Sequence, residues 1–230
     1  MTSKERILKA AISVFARKGR HGARMEEIAS LAQINKAMIY YFFHSKDDLY
    51  FEVLKLVHSE TTMSLSGITV RAIESGQGYE YVLRNFISAM ISYFSENNYY
   101  TRILIESMTS GSEEISQSIK ELKDCIPDRS GTERFKEFFE KGKSEGIIRH
   151  DVDIVHMVIS MIGMSMIYFF SRSITEAMEI EVSDEKYFLE QRRESIIDLV
   201  FNSIFINKGN DLENKKTRSK SKNPDNSNRR

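Results

Sequence analysis

The sequence predicts an all-α protein built as a small three-helix head and a larger helical body. Three observations predict it. Two prolines and eleven glycines in 230 residues leave long tracts without helix breakers. Apolar residues recur three and four apart through most of the chain, the spacing of one helix face. Capping signatures stand where such patterns begin: Thr2-x-x-Glu5 and Ser130-x-x-Glu133 each place a glutamate three residues after a hydroxyl.

Composition narrows the class. A hydrophobic content of 41% with 29% charged residues is that of a soluble globular protein. Eleven methionines and fourteen phenylalanines suggest an adaptable apolar interior. The single cysteine, Cys125, cannot form an internal disulfide, which fits a reducing compartment. No positively charged segment followed by an apolar run opens the chain, so a signal peptide is not expected and a cytoplasmic location is. The net charge of zero hides an uneven distribution. Residues 1–50 hold nine Lys/Arg against five acids and residues 208–230 hold eight against three, which leaves residues 51–207 acidic. A basic head is suited to an anion, and nucleic acid is the obvious polyanion.

The first helix follows the Thr2 and Glu5 capping box, carries Ile7, Leu8, Ala11, Ile12 and Phe15 on one face, and ends at Gly19 or Gly22 after Arg17 and Lys18. Met25 to Leu49 then breaks into two short helical patterns joined by a three- or four-residue turn, followed by the start of a longer helix. That is the layout of a helix-turn-helix DNA reader. In the first short pattern Ile28, Ala29, Leu31 and Ala32 are spaced to bury one face. In the second, Met38, Ile39, Phe42 and Phe43 pack inward, leaving Lys36, Ala37, Tyr40, Tyr41 and His44 to point elsewhere, with Asn35 as the N-cap. Hydroxyls, short side chains and cations on one helix are what contact with phosphates and base edges requires. Ser45 caps the next helix, Asp47 and Asp48 lie in its first turn, and Leu49, Phe51, Val53, Leu54, Leu56 and Val57 continue it to about Thr62. Lys46 stands at its start, where backbone N–H groups and a cation can hold one phosphate together.

The run Ile7-Leu8-x-Ala10-Ala11 with Phe15, Gly19, Ile28-Ala29, Ala32, Lys36 before Ile39-Tyr40-Tyr41-Phe42-Phe43, and Ser45-Lys46-x-x-Leu49 together resemble the DNA-binding domain of the tetracycline-repressor (TetR) family of bacterial transcriptional regulators. The resemblance spans residues 3–50, about a fifth of the chain. Family members usually have Gly, Ser and Gly where this chain has Gln33, Asn35 and Ala37, and often Thr where it has Met25. Asn35 keeps the capping role. Met25 lacks a hydroxyl that in the family often touches phosphate, and Ala37 adds a methyl that predicts a different base preference. The resemblance implies a homodimeric repressor on a roughly palindromic double-stranded operator, released by a small, mostly apolar effector. It puts Asn35, Lys36, Ala37, Tyr40, Tyr41, His44 and Lys46 at the DNA, and it calls for no cofactor, metal or catalytic residue.

A head of residues 1–48 is expected to lead into a body of residues 49–207. The Ser75 to Gly78 interval precedes a helix with Tyr81, Val82, Phe86, Ile87, Met90, Ile91 and Phe94, which Asn97 and Asn98 break. A shorter helix with Ile103, Leu104 and Met108 follows to Gly111, and Ile115 to Leu122 gives another turn or two before the interruption at Cys125 to Gly131, which holds Pro127. Ser130 and Glu133 open a helix with Phe135, Phe138 and Phe139 that Gly146 closes. Ile154 to Phe170 is apolar nearly all round and predicts a helix covered on every side. It is too short for a membrane span and contains His156, Ser160, Gly163 and Ser165. The resemblance gives it one face on an internal pocket and one on a second subunit. The last helix, roughly Asp184 to Phe205 with Phe188, Ile196, Ile197, Leu199, Val200 and Ile204, would supply the rest of a four-helix interface. The pocket is expected among Phe86, Met90, Tyr93, Ile103, Met108, Phe139, Met161 and Ser165, with Tyr93, Tyr99, Tyr100 and Tyr168 able to supply polar tips.

His150, Asp151, Asp153 and His156 offer metal-ligand spacing, yet an N-cap role for Asp151 or Asp153 accounts for the same residues. No G-x-S-x-G, P-loop or H-E-x-x-H pattern occurs and Cys125 stands in no nucleophile signature, so an enzyme is not expected. Residues 208–230 lack apolar anchors and are rich in Lys, Arg, Asn and Ser, the composition of a disordered basic tail. The competing class is a helical small-molecule carrier or sensor whose head binds a protein partner. The cation surplus and the exposed tyrosines favour DNA.

Overall fold

A computed structural model describes residues 1–109, 130–170, 179 and 184–206. Among the described residues the regular structure is nine helices, with one isolated antiparallel bridge between Ile148 and Phe205. Helices α1 (Ser3–Gly22), α2 (Met25–Ala32) and α3 (Lys36–Phe42) form the head. Helix α4 (Lys46–Glu74) leaves it, and α5 (Tyr79–Glu96), α6 (Asn98–Thr109), α7 (Ser130–Ser144), α8 (Ile154–Phe170) and α9 (Glu185–Ile204) complete the body.

The head forms as its local chemistry dictates. The Thr2 hydroxyl accepts from the Glu5 N–H while the Glu5 carboxylate accepts from the Thr2 N–H, satisfying two donors that a helix start leaves open. Ile7, Ala11, Val14 and Phe15 are fully buried beneath α2 and α4, and Leu8 is half-buried. Regular geometry in α1 ends at Gly19, whose φ of 69° is left-handed. The backbone there favours glycine, and a Cβ would stand 2.9 Å from a carboxylate oxygen of Glu106, which would have to move aside.

Ser45 caps α4 through the Asp48 N–H, with Asp47 and Asp48 in the first turn. The helix then runs 29 residues to Glu74, well past the expected end near Thr62, because α5 and α7 pack along it and carry a weakly patterned stretch through. Helix α5 lies centrally against α4, α8 and α9, while α6 packs on α1 and α4. Leu83, Ile87, Met90, Ile103, Phe139 and Met161 are fully buried in this body. Gly146, with φ +68°, closes α7. Asp153 accepts from the N–H groups of Val155 and His156 at the start of α8, and Asp184 does the same for Lys186 and Tyr187 at α9. Past α9 the chain is tied down by Arg149 N–H to the Ile204 carbonyl at 2.9 Å and Ile206 N–H to the Ile147 carbonyl at 3.1 Å.

Three further expectations change. Leu31 is half exposed, because α2 turns Ile28, Ala29 and Ala32 into the head and leaves Leu31 on the side facing away. Helix α8 is not covered on every side within one chain: Val155, Ile159 and Ile167 face outward while Met157, Met161 and Met166 face in. The interruption ends early, since Ser130 and Gly131 already belong to α7. The Ile115 to Leu122 helix, Cys125, Pro127, the capping side chain of Ser130 and the 208–230 tail lie outside the described residues. Among the described residues no helix is long and apolar enough to cross a membrane.

Candidate nucleic-acid interface

The turn between α2 and α3 sets how the second short helix is presented. Gln33 adopts φ 53°, ψ 49°, with its N–H on the Ser30 carbonyl and the Ile34 N–H on the Ala29 carbonyl, a Schellman closure of α2. Left-handed geometry costs a residue with a side chain about 1–2 kcal/mol, so Gln33 holds a position that suits glycine better. Asn35 then accepts the Met38 N–H at 2.8 Å and starts α3, as its residue type predicts.

Helix α3 has seven residues and buries one of them, Ile39. Met38 and Phe42, expected to pack inward, are 37% and 36% exposed. A helix of two turns has room for one residue over the core, and the second anchor is Phe43, just past the helix end and 2% exposed. Lys36, Ala37, Tyr40, Tyr41 and His44 are all exposed, with Tyr41 at 81% the most open of the aromatic side chains here. The Tyr41 ring stands edge-on to Phe42 at 5.2 Å, which limits its freedom without covering it.

Two cations are less free than the sequence suggests. The Lys36 ammonium pairs with the Glu26 carboxylate and lies 5.7 Å from the Tyr40 ring centre. Their shared hydrogen bond raises the lysine pKa and lowers that of the glutamate. Lys46 donates to the carbonyls of His21 at 3.2 Å and Ala23 at 3.3 Å, so it braces the α1–α2 connection with two of its three N–H groups. Met25 belongs to the core at 5% exposure and offers nothing to a ligand.

The head is joined to the body at the α1 break. The Arg20 N–H donates to Glu106 on α6 at 2.7 Å, and the Arg20 guanidinium bonds Asp47 at 3.0 Å while lying over the Phe51 and Tyr50 rings. That guanidinium holds the Asp47 carboxyl below its ordinary pKa. Burial, with the Glu106 charge adding to it, pushes the Tyr50 hydroxyl up. Glu106 and Arg6, which touches the α2–α3 turn, were not among the residues singled out from sequence. Their partners lie 86 and 26 residues away, so no local pattern announces them.

Of the residues expected to line a pocket, Met90, Ile103, Phe139 and Met161 are fully buried, and half-buried Phe86 stacks on Phe135 at 5.1 Å. The Tyr93 hydroxyl meets that of Thr61 at 2.9 Å, and burial raises its pKa. Ser165 is 2% exposed and its hydroxyl has no hydrogen-bond partner among the described residues. Met108 does not join them: at the end of α6 it is 59% exposed. Tyr99 and Tyr100 line a different space, an open groove of about 920 Å³ between head and body that also touches Leu8, Leu31, Gln33 and Leu56. The Tyr100 hydroxyl donates to Glu60, and that of Tyr168 donates to Glu185. Asp151 pairs with Arg149, Asp153 caps α8, and no group of three potential metal ligands assembles among the described residues.

Comparison with known proteins agrees with this architecture. Residues 7–53 match the family model of bacterial regulatory proteins of the tetR family, and residues 80–200 match that of the tetracyclin repressor-like C-terminal domain. The HTH-type transcriptional repressor NicS of Pseudomonas putida is 25% identical over 186 residues, covering 80% of this chain and 84% of NicS. The HTH-type transcriptional regulator RutR of Escherichia coli K12 is 44% identical over 54 residues, 24% of this chain and 26% of RutR. Among solved structures, the fatty acid degradation regulator FadR of Bacillus halodurans superposes with a TM-score of 0.61 at 17% identity, covering 86% of this chain and 97% of FadR. A TetR-like transcriptional regulator of Rhodococcus sp. RHA1 gives 0.59 at 18% identity over 86% and 93% of the two chains. At such identities the structures establish a shared fold. Because the helix-turn-helix model covers the head and the repressor-like model covers more than half of the chain, the protein belongs to the TetR family of bacterial regulatory proteins and is a DNA-binding transcriptional regulator.

Proposed function

We propose that the protein is a ligand-responsive repressor that binds a roughly palindromic operator as a homodimer and leaves it when a small, mostly apolar effector enters the body. The observation that carries the reading is α3, which buries Ile39 alone and keeps the rest of its length open beside a fixed N-cap. Ala37 and Tyr41 read base edges, Lys36, Tyr40 and His44 position the helix on phosphates, and Lys46 offers its third N–H to a phosphate while bracing the α1–α2 connection. The outward apolar residues of α8 and Leu199 of α9 support a two-fold pairing, which would cover them and set the two α3 helices about 34–36 Å apart.

The effector reading rests on the body's interior. Among the described residues its buried polar residues are Thr61, Thr69, Thr101, Ser107 and Ser165; the first four donate to backbone carbonyls and the Ser165 hydroxyl alone stays unpaired, which suits an uncharged, largely apolar molecule with one hydrogen-bonding group. Release requires only that the effector favour the non-binding arrangement by about 1–3 kcal/mol. A cytoplasmic, non-catalytic role accords with relatives described as transcriptional regulators, and a carrier whose head binds protein is not favoured by them.

Selection of random duplex DNA by the purified protein at two salt concentrations tests this. The expected product is an inverted repeat. Salt-sensitive binding that enriches no sequence, or no binding, overturns the reading. With the selected duplex in hand, Tyr41→Ala should change base preference, whereas Lys46→Ala should weaken all sequences alike and flatten the salt dependence.

A further inference from the structure

Arg6 reaches from the first helix to the far end of the second. One guanidinium nitrogen, Nη2, donates to the carbonyl of Ala32 at 2.6 Å and to that of Gln33 at 2.9 Å. These are the last carbonyl of α2 and the carbonyl of the residue held at φ 53°, ψ 49°. The Schellman bonds already satisfy the Ala29 and Ser30 carbonyls, and Asn35 satisfies the N–H of Met38, so Arg6 supplies what the turn's own backbone lacks. Its neighbour Ile7 is fully buried, which gives the guanidinium a rigid base. A cation at this place is also favoured by the negative end of α2.

We propose that Arg6 is a positioning residue for DNA reading: it holds Gln33 in the left-handed conformation and so fixes the angle at which α3 is presented. It acts through the turn and touches no DNA. The assignment rests on α3 being the DNA reader. It concerns this chain because the side chain at Gln33 makes the turn strained, and a strained turn needs a clamp that a glycine turn would not. Arg6 and Gln33 are therefore coupled, and replacing Gln33 by glycine should make Arg6 largely dispensable.

The test uses the full chain with Arg6→Leu, Gln33→Gly and the two combined. Affinity is read for the duplex enriched by selection and for a scrambled duplex. Arg6→Leu should reduce the ratio of specific to scrambled affinity about tenfold, the order set by the bias against a side chain in the left-handed region, with scrambled binding nearly unchanged. In the Gln33→Gly background the same change should cost less than about threefold. An equal loss on both duplexes marks a phosphate contact and overturns the proposal, as does an equal loss in both backgrounds. If Arg6→Leu alone does not fold, the double variant must, and a double variant that also fails overturns the assignment. Should selection enrich no sequence, it is the DNA-reading proposal that fails. Amide hydrogen exchange across residues 33–38 then decides the Arg6 claim alone: it must quicken in Arg6→Leu and recover in the double variant, and unchanged exchange overturns it.

Discussion

Helix α3 in the head and helix α8 in the body are held by opposite means. Helix α3 is fixed at its ends, by the Asn35 cap, by the clamped turn before it and by Phe43 after it, with Ile39 as its sole buried residue. Helix α8 is fixed along its length, with Met157, Met161, Ser165, Met166 and Tyr168 buried. The first arrangement leaves side chains free to touch a ligand and depends on a few directional bonds. The second spreads its stability over many contacts and leaves only its outer strip for a partner.

Truncation separates the two most sharply. Ile39→Ala should destabilise the protein by about 2–5 kcal/mol in urea unfolding and abolish operator binding, because nothing else within α3 is buried and Phe43, past its end, cannot hold the helix's orientation alone. Met161→Ala, at an equally buried site, should cost about 2–5 kcal/mol but leave operator affinity within about twofold when no effector is present. Equal damage to DNA binding by both would break the comparison.

The junction between the regions gives a smaller effect. Glu106→Ala leaves the Arg20 N–H without its acceptor at the α1 break, and should lower stability by about 1–3 kcal/mol and speed exchange of that amide. Glu106→Gln keeps an oxygen in place and should restore most of the loss. If the alanine variant exchanges at the native rate, the head is not tied to the body at this point.

The smallest effect is in pH dependence. His58 on α4 is held neutral, its pKa pushed below 6.5 by burial, with its ring 3.4 Å from the Ser107 hydroxyl. The unfolded chain therefore binds the proton more readily. Stability from this group is complete above the ordinary histidine value and is lost as the pH falls below it towards the depressed value. Thermal midpoints at pH 7.5 and pH 5 should diverge less in His58→Asn than in the parent. An identical divergence would remove His58 as the cause.

What could be read in the sequence follows the same division. Thr2, Asn35, Ser45 and Asp153 act on backbone groups two or three residues away, so composition and spacing announced them. The exposed set of Lys36, Ala37, Tyr40 and Tyr41 was legible for the same reason, being the far side of one short helix, with His44 exposed two residues past its end. The end of α4, the outward turn of Leu31 and Met108, and the open strip of α8 depend on which helices pack alongside, which periodicity alone does not encode. Lys46 illustrates the limit. Its position at a helix start was plain, but its bonds to His21 and Ala23 arise only once α1 and α4 meet.

The head's ion pairs carry a further consequence. Lys36 arrives with Glu26, and Lys18 with Glu27 at 2.7 Å, so these cations bring their counterions with them as part of the polypeptide. A DNA phosphate that takes Lys36 or Lys18 exchanges with a tethered carboxylate and not with a mobile anion. The displaced carboxylate then remains beside the duplex as a repelling charge, and the surface behaves as a zwitterion. If α3 is the DNA reader proposed above, such a head grips arbitrary DNA less tightly than its nine cations alone would dictate, so that wrong sequences are left quickly and long residence is kept for the one that Tyr40 and Tyr41 would fit.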